Sequence, residues 1–291
     1  MDIEHIALLQ TQRELHDIPR GFERFRSYLD TIFDDKDDPL YPMVAMNPMG
    51  KPHVAERLDT LLALGADAIA AEAAAEAAQR LAHIDGSWRT ALVICDDLMG
   101  GWTNRYLSEA NARFSQPAKN IGTWIPILLW TGEEVTPTLI AEETKSSIYR
   151  RCYTARYGSA ASARQMMRQE GLALHFAGAN SPTLDADDLD YTREVLRPLL
   201  DATDYPTAFT CMYGDVAARS VGYPPLGLSP HAGSALALAD ARASGAEPVD
   251  VLRHDRGNVR PGLNSLACFT SLHRKDHECR LALIREDRPD H

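Results

Sequence analysis

Hydrophobic positions recur at helical spacing over much of the first 84 residues. Ile6, Leu8, Leu9 and Leu15 form one apolar set, and Phe22, Phe25, Tyr28, Leu29 and Phe33 form a second. Pro19-Arg20-Gly21 separates the two sets. After the charged stretch 34–39, Pro39 and Pro42 forbid a regular helix. Residues 44–46 fit a short strand or a packed linker. Residues 47–52 fit a turn, with Pro52 near the first position of a helix. Residues 54–84 are the clearest helical stretch, because alanine dominates them. Gly65 kinks or ends a first helix there, and Asp67 is placed to cap a second.

The pattern then changes. Ala91-Leu92-Val93-Ile94 runs without a polar break, so residues 90–95 read as a strand buried on both faces, central in its sheet. Residues 103–114 read as a helix. Residues 121–130 are apolar but contain Pro126, which suits an edge strand or an extended packed segment. Residues 138–153 and 160–169 read as helices separated near Gly158. Residues 171–177 and 207–213 read as strands, and residues 187–200 and 233–243 as helices. Residues 266–272 and 279–284 fit a hairpin around the turn Arg274-Lys275-Asp276-His277. The expected fold is α/β, a mixed, partly parallel sheet flanked by helices, with a C-terminal β-hairpin. One domain over 1–291 is expected, with a helical N-terminal portion at about 1–84.

Charge narrows the partners. Lys and Arg number 30 against 41 Asp and Glu, a net −11. An acidic surface opposes binding to nucleic acid and to anionic membranes, so neither is expected. Arg150, Arg151 and Arg156 cluster, and read as a solvated helix face. The longest apolar run, 124–130, is too short to span a bilayer. From the acidic start no secretory leader is expected. Five widely spaced cysteines without a CxxC pair suit buried thiols in a reducing cytosol. The expectation is a soluble cytoplasmic protein whose partner is a small molecule, with a homo-oligomer left open.

The densest chemistry follows the central strand. Cys95 leads into Asp96-Asp97-Leu98-Met99-Gly100-Gly101-Trp102-Thr103-Asn104-Arg105. Ligands of open α/β sheets bind outside the carboxyl ends of strands. Asp96 and Asp97 there could hold a divalent cation or accept hydrogen bonds from sugar hydroxyls. Gly100 and Gly101 let backbone amides approach a ligand, and the following helix start, with Thr103 and Asn104, favours an anion. Arg105 could add a bidentate contact to phosphate or carboxylate. A plain turn with Thr103 as helix cap is the competing reading.

Four apolar residues, two acids and Gly-Gly-x-Thr resemble the ribose-phosphate loop of phosphoribosyltransferases. The resemblance implies that Asp96 and Asp97 hold ribose hydroxyls and that Gly100, Gly101 and Thr103 cradle the 5-phosphate. The loop here is shorter than the family's and carries bulky Trp102 where a small residue is usual. It covers about a dozen positions. The haloacid dehalogenases differ in separating their two acids by one residue.

His175, in Leu172-Ala173-Leu174-His175-Phe176, is the first candidate for acid–base work; a hydrogen-bonded core histidine is the competing reading. His231 before Ala232-Gly233 could start a helix or lie in a loop. His273, His277 and Cys279 match part of a metal set, but across a hairpin turn. Cys211 reads as a buried thiol rather than a nucleophile. The leading expectation is a cytosolic enzyme acting on a small anionic metabolite, phosphate- or carboxylate-bearing, optionally with a divalent cation on Asp96 and Asp97. The alternative is a non-catalytic ligand-binding or assembly protein using the alanine-rich helix. A phosphoribosyltransferase-like transferase is the third reading.

Overall fold

The unbroken apolar run forms the middle of three parallel strands. The computed structural model describes residues 1–35, 38–98, 104–115 and 123–253, all within the unit Met1–His254. Strands β1 (Asp2–His5), β2 (Ser87–Cys95) and β3 (Trp124–Trp130) lie in the order β1-β2-β3. Asp2 pairs with Ser87, and the β2–β3 register runs from Arg89 against Trp124 to Cys95 against Trp130. Pro126 sits opposite Ala91 on an edge strand, where its missing N–H breaks no ladder bond.

Alternation divides β2 between two layers. Ala91, Val93 and Cys95 join Leu8, Leu15, Tyr28, Ile32, Met43 and Met46. These come largely from α1 (Leu9–Asp17), α2 (Phe22–Ile32) and a 3-10 turn at Tyr41–Ala45. Leu92 and Ile94 join Leu9, Leu58, Leu61 and Ala70 on the other face, with α3 (Pro52–Leu64) and α4 (Ala66–Arg80) as cover. Past His5, the β1 side of β2 has no paired strand residue. Gln12 of α1 takes that place: its side chain donates to Leu92 O at 2.8 Å and accepts from Ile94 N at 2.9 Å.

The remaining described elements are helices: α5 (Arg105–Phe114), α6 (Pro137–Tyr157), α7 (Ala163–Ala177), α8 (Ala186–Leu196), α9 (Tyr205–Ser220), α10 (Ala232–Ala243) and α11 (Pro248–Arg253). Phe114, Met166, Phe209, Met212, Tyr213 and Leu236 form their shared core.

The α/β class stands, with a smaller and wholly parallel sheet among the described residues. Residues 2–5 are a strand, not part of a helix; four residues with Asp2 and Glu4 alternating outward carry too short a pattern to read. Residues 44–46 belong largely to the 3-10 turn. Residues 171–177 and 207–213 are helical, not strands. Both runs are apolar because neighbouring helices cover them on several sides, and such a run resembles a buried strand. Gly171 lets α7 approach α10: a Cβ there would lie 2.2 Å from Ala237 O. The expected C-terminal hairpin, with His273, His277 and Cys279, lies outside the described residues.

Candidate functional site

The two longer strands end side by side. Asp96 follows β2 and Thr131 follows β3, joined by a bond from Thr131 N to Cys95 O at 3.0 Å. The Thr131 hydroxyl lies 3.3 Å from Asp96 Oδ1 and 3.0 Å from Asp97 Oδ1. With one proton, it donates to only one of them at a time. Asp97 N donates back to Thr131 Oγ1 at 3.2 Å, and Gly132 N donates to Asp97 Oδ1 at 2.7 Å. Any Cβ at position 132 would stand 3.0 Å from both Asp97 oxygens, so glycine suits this contact.

Asp96 is 4% exposed, and two donors besides Thr131 reach its Oδ1. Leu98 N lies 3.2 Å away and His53 Nε2 2.8 Å. His53 stands in the first turn of α3, which Pro52 opens with a pre-set φ. The His53 side chain is 16% exposed. Its Nδ1 is buried and has no hydrogen-bond partner. One turn on, at the i,i+4 spacing that shares a helix face, Arg57 Nη2 donates to Thr131 O at 3.0 Å. Arg57 makes no ion pair among the described residues.

Arg105 also reaches this edge, and each of its three nitrogens is engaged. Nη1 bonds Asp97 Oδ2 at 3.1 Å, Nε bonds Glu109 Oε1 at 2.9 Å, and Nη2 bonds Glu133. The guanidinium also lies 5.3 Å from the centre of the Trp130 ring. Burial opposes its charge, but Glu109 and Glu133 outweigh that and hold it more firmly protonated. Burial pushes Glu133 above the usual carboxylate range despite Arg105. Asn104 caps α5 by accepting from Leu107 N at 3.2 Å, so it serves the helix.

Asp96, Asp97 and Arg105 are therefore together. Gly100, Gly101 and Thr103 lie outside the described residues, and with them the phosphate half of the phosphoribosyltransferase likeness. His175 is elsewhere, in the last turn of α7. Its neighbour Phe176 packs with Ile3, Trp88 and Ile125, which mark the amino ends of the strands. His53 and Arg57 are the residues that sequence reasoning missed. Their signal was present: Pro52 opening a helix, followed by a histidine and an arginine four apart. The partner, Asp96, is 43 residues away and comes in only through folding.

From Arg105 a ladder of charge runs along α5. Arg113 lies 3.3 Å from Glu109, 3.6 Å from Glu143 and 3.1 Å from Glu170. Arg150 grips Glu170 through two bonds of 2.9 Å. Arg150 is thus buried and paired, rather than on a solvated face. Its charge is consumed by helix–helix contacts that the helical spacing of basic residues does not reveal. His231 opens α10 in a left-handed backbone conformation, φ 56. Cys211 is buried, and burial pushes its thiol up to about 11, which suits a structural role. The alanine face of α4 is buried within the chain, Ala74 and Ala77 packing with Ile148, Tyr149 and Phe176.

Among the described residues no three His, Cys, Asp or Glu side chains group to hold a metal ion. No helix among them is long and apolar enough to cross a membrane. No protein-family model, curated protein or solved structure matches this chain.

Proposed function

We propose that this chain is a cytosolic enzyme performing acid–base chemistry on a small phosphate- or carboxylate-bearing metabolite at the carboxyl edge of its sheet. The observation that carries the reading is the 2.8 Å contact between His53 Nε2 and the buried Asp96 at the end of the central strand. A carboxylate that fixes one imidazole nitrogen orients the ring and stabilises its charged form. The other nitrogen is then the working base or acid. Arg57, which carries no carboxylate partner among the described residues, supplies the contact to the anionic group. Arg105 acts instead as a brace between Asp97, Glu109 and Glu133. The metal-assisted form of this reading places a divalent cation on Asp96 and Asp97, in competition with His53 and Arg105.

The test is a thermal-shift screen of the full chain against phosphate- and carboxylate-bearing metabolites, with and without magnesium or manganese, followed by turnover assays of each hit. Arg57→Ala is expected to weaken binding roughly 10- to 100-fold, the loss of one charged hydrogen bond. His53→Gln is expected to keep binding and lose turnover. Turnover undiminished in His53→Gln overturns the reading.

A further inference from the structure

Helix α2 is fixed by one face and leaves the other open. Its Arg24 is buried and holds the end of α1, donating to Ile18 O at 2.6 Å and to His16 O at 3.2 Å. Tyr28 and Ile32 are buried on the same side, and the Tyr28 hydroxyl donates to Met43 O at 3.2 Å. The outer face carries Phe22, Arg26, Leu29 and Phe33, all exposed. Successive gaps of four, three and four residues line them up along about 16 Å of helix and cap. Phe22 is 72% exposed, Phe33 47% and Leu29 38%. Scattered apolar residues on a surface need no explanation, but an aligned row does. The Arg26 guanidinium lies 5.1 Å from the centre of the Phe22 ring, so it belongs to the same stripe.

Charge is left unpaired around this stripe. Among the described residues Arg26 and Asp30 make no ion pair, although their i,i+4 spacing permits one. Beside Phe33, residues Asp30, Thr31, Asp34, Asp35, Asp38 and Leu40 line a cleft of about 430 Å³. Asp38 is neutralised by Arg89, which donates to its two oxygens at 2.5 and 2.6 Å. Asp30 and Asp34 have no basic partner among the described residues. No three carboxylates there group to hold a metal ion. At the other end of the helix Arg20 is exposed and makes no ion pair among the described residues.

We propose that this stripe is the interface of a two-fold dimer, in which α2 packs antiparallel on α2 of a second copy. The stripe is its own complement, because its gaps read four, three, four in either direction. Turned end for end about a point between Ser27 and Tyr28, it sets each Phe22 against the partner's Phe33 and each Arg26 against the partner's Leu29. Asp30 lies about 40° round the helix from Arg26, on one flank. The two-fold axis keeps that flank on the same side in both copies, so each Arg26 meets the partner's Asp30 there. Further out, Arg20 faces the partner's Asp34, which lines the acidic cleft. A parallel pair would set Arg26 against Arg26 and Asp30 against Asp30, and like charge opposes it. One helix from each copy makes a small interface, so the dimer is weak and forms with rising concentration. It does not depend on the chemistry at Asp96.

The test is sedimentation equilibrium of the full chain in about 0.15 M salt, where the −11 charge of each copy is screened beyond about 8 Å. The mass is expected to rise from one chain towards two between micromolar and hundreds of micromolar protein. Leu29→Lys, set against the partner's Arg26, should weaken association about 10-fold or more. Arg26→Asp, set against the partner's Asp30, should do the same. Adding Asp30→Arg to it should restore association, because the swap rebuilds the pair in the antiparallel register. All three positions are exposed, and circular dichroism should show wild-type helix content in each variant. A wild type that stays one chain throughout, as when another molecule or another part of the chain covers the stripe, overturns the proposal. So does association unmoved by Leu29→Lys, or not restored by the double swap.

Discussion

The helical interior and the strand edge both bury charged side chains, with different bonding. In the interior, Glu170 is 0% exposed and engages Arg150 with both oxygens, while Arg113 is shared among Glu109, Glu143 and Glu170. Burial alone would push Glu170 up, but Arg150 and Arg113 pull it below the usual carboxylate range. At the edge, Asp96 and Asp97 accept bonds from several elements, and His53 and Arg57 are half-buried, with the open nitrogen of His53, Nδ1, itself buried. Open atoms occur elsewhere too, at the Tyr213 hydroxyl and Gln169 Oε1 in residues that are 1% and 0% exposed, and at Nδ1 of the half-buried His175 in α7. Buried charge is thus no mark of a site by itself. The edge differs in that a carboxylate at a strand end fixes one nitrogen of a half-buried ring and leaves the other open.

The comparison breaks most visibly at Glu170. Glu170→Gln leaves Arg150 and Arg113 short of a buried counter-charge, and should cost about 3–5 kcal/mol by urea unfolding. A loss below about 1 kcal/mol would mean that the interior is not held by this network. Acid should act on both regions. His16 is neutral and buried at about 4, against an ordinary value near 6.5. The unfolded chain takes up that proton first, so the contribution is complete above about 6.5 and is lost as pH falls towards about 4. His231, lowered by burial, contributes with the same sign in the interior. Urea midpoints across pH for the wild type, His16→Phe and His231→Asn separate the two; asparagine tolerates the left-handed backbone at position 231. Each variant should flatten part of the slope, and an unchanged slope in both contradicts the buried neutral state of these rings. The smallest effect is expected at Thr131→Val. It removes the hydroxyl shared by the two aspartates, at about 1–2 kcal/mol in the same unfolding experiment. No change there would make the hydroxyl a bystander.

Much of this edge was legible before folding. Four apolar residues followed by two acids placed Asp96 and Asp97 at the end of a central strand, and Pro126 marked the edge strand beside it. The proposed acid–base group was not legible, because His53 meets Asp96 through packing of α3 on the sheet. His175 lies in α7, a helix covered on several sides whose sequence therefore reads as a strand. Arg105 was found, but two of the three carboxylates that engage it, Asp97 and Glu133, come from outside its helix. The sheet's first strand stayed hidden because its four residues alternate weakly.

The most direct test sets Asp96→Asn beside Glu170→Gln, measuring urea unfolding and turnover on the same preparations. Asp96→Asn is expected to lose turnover while giving up no more than about 3 kcal/mol of stability, and Glu170→Gln to lose more stability while the folded fraction keeps turnover. Undiminished turnover in folded Asp96→Asn would contradict the account.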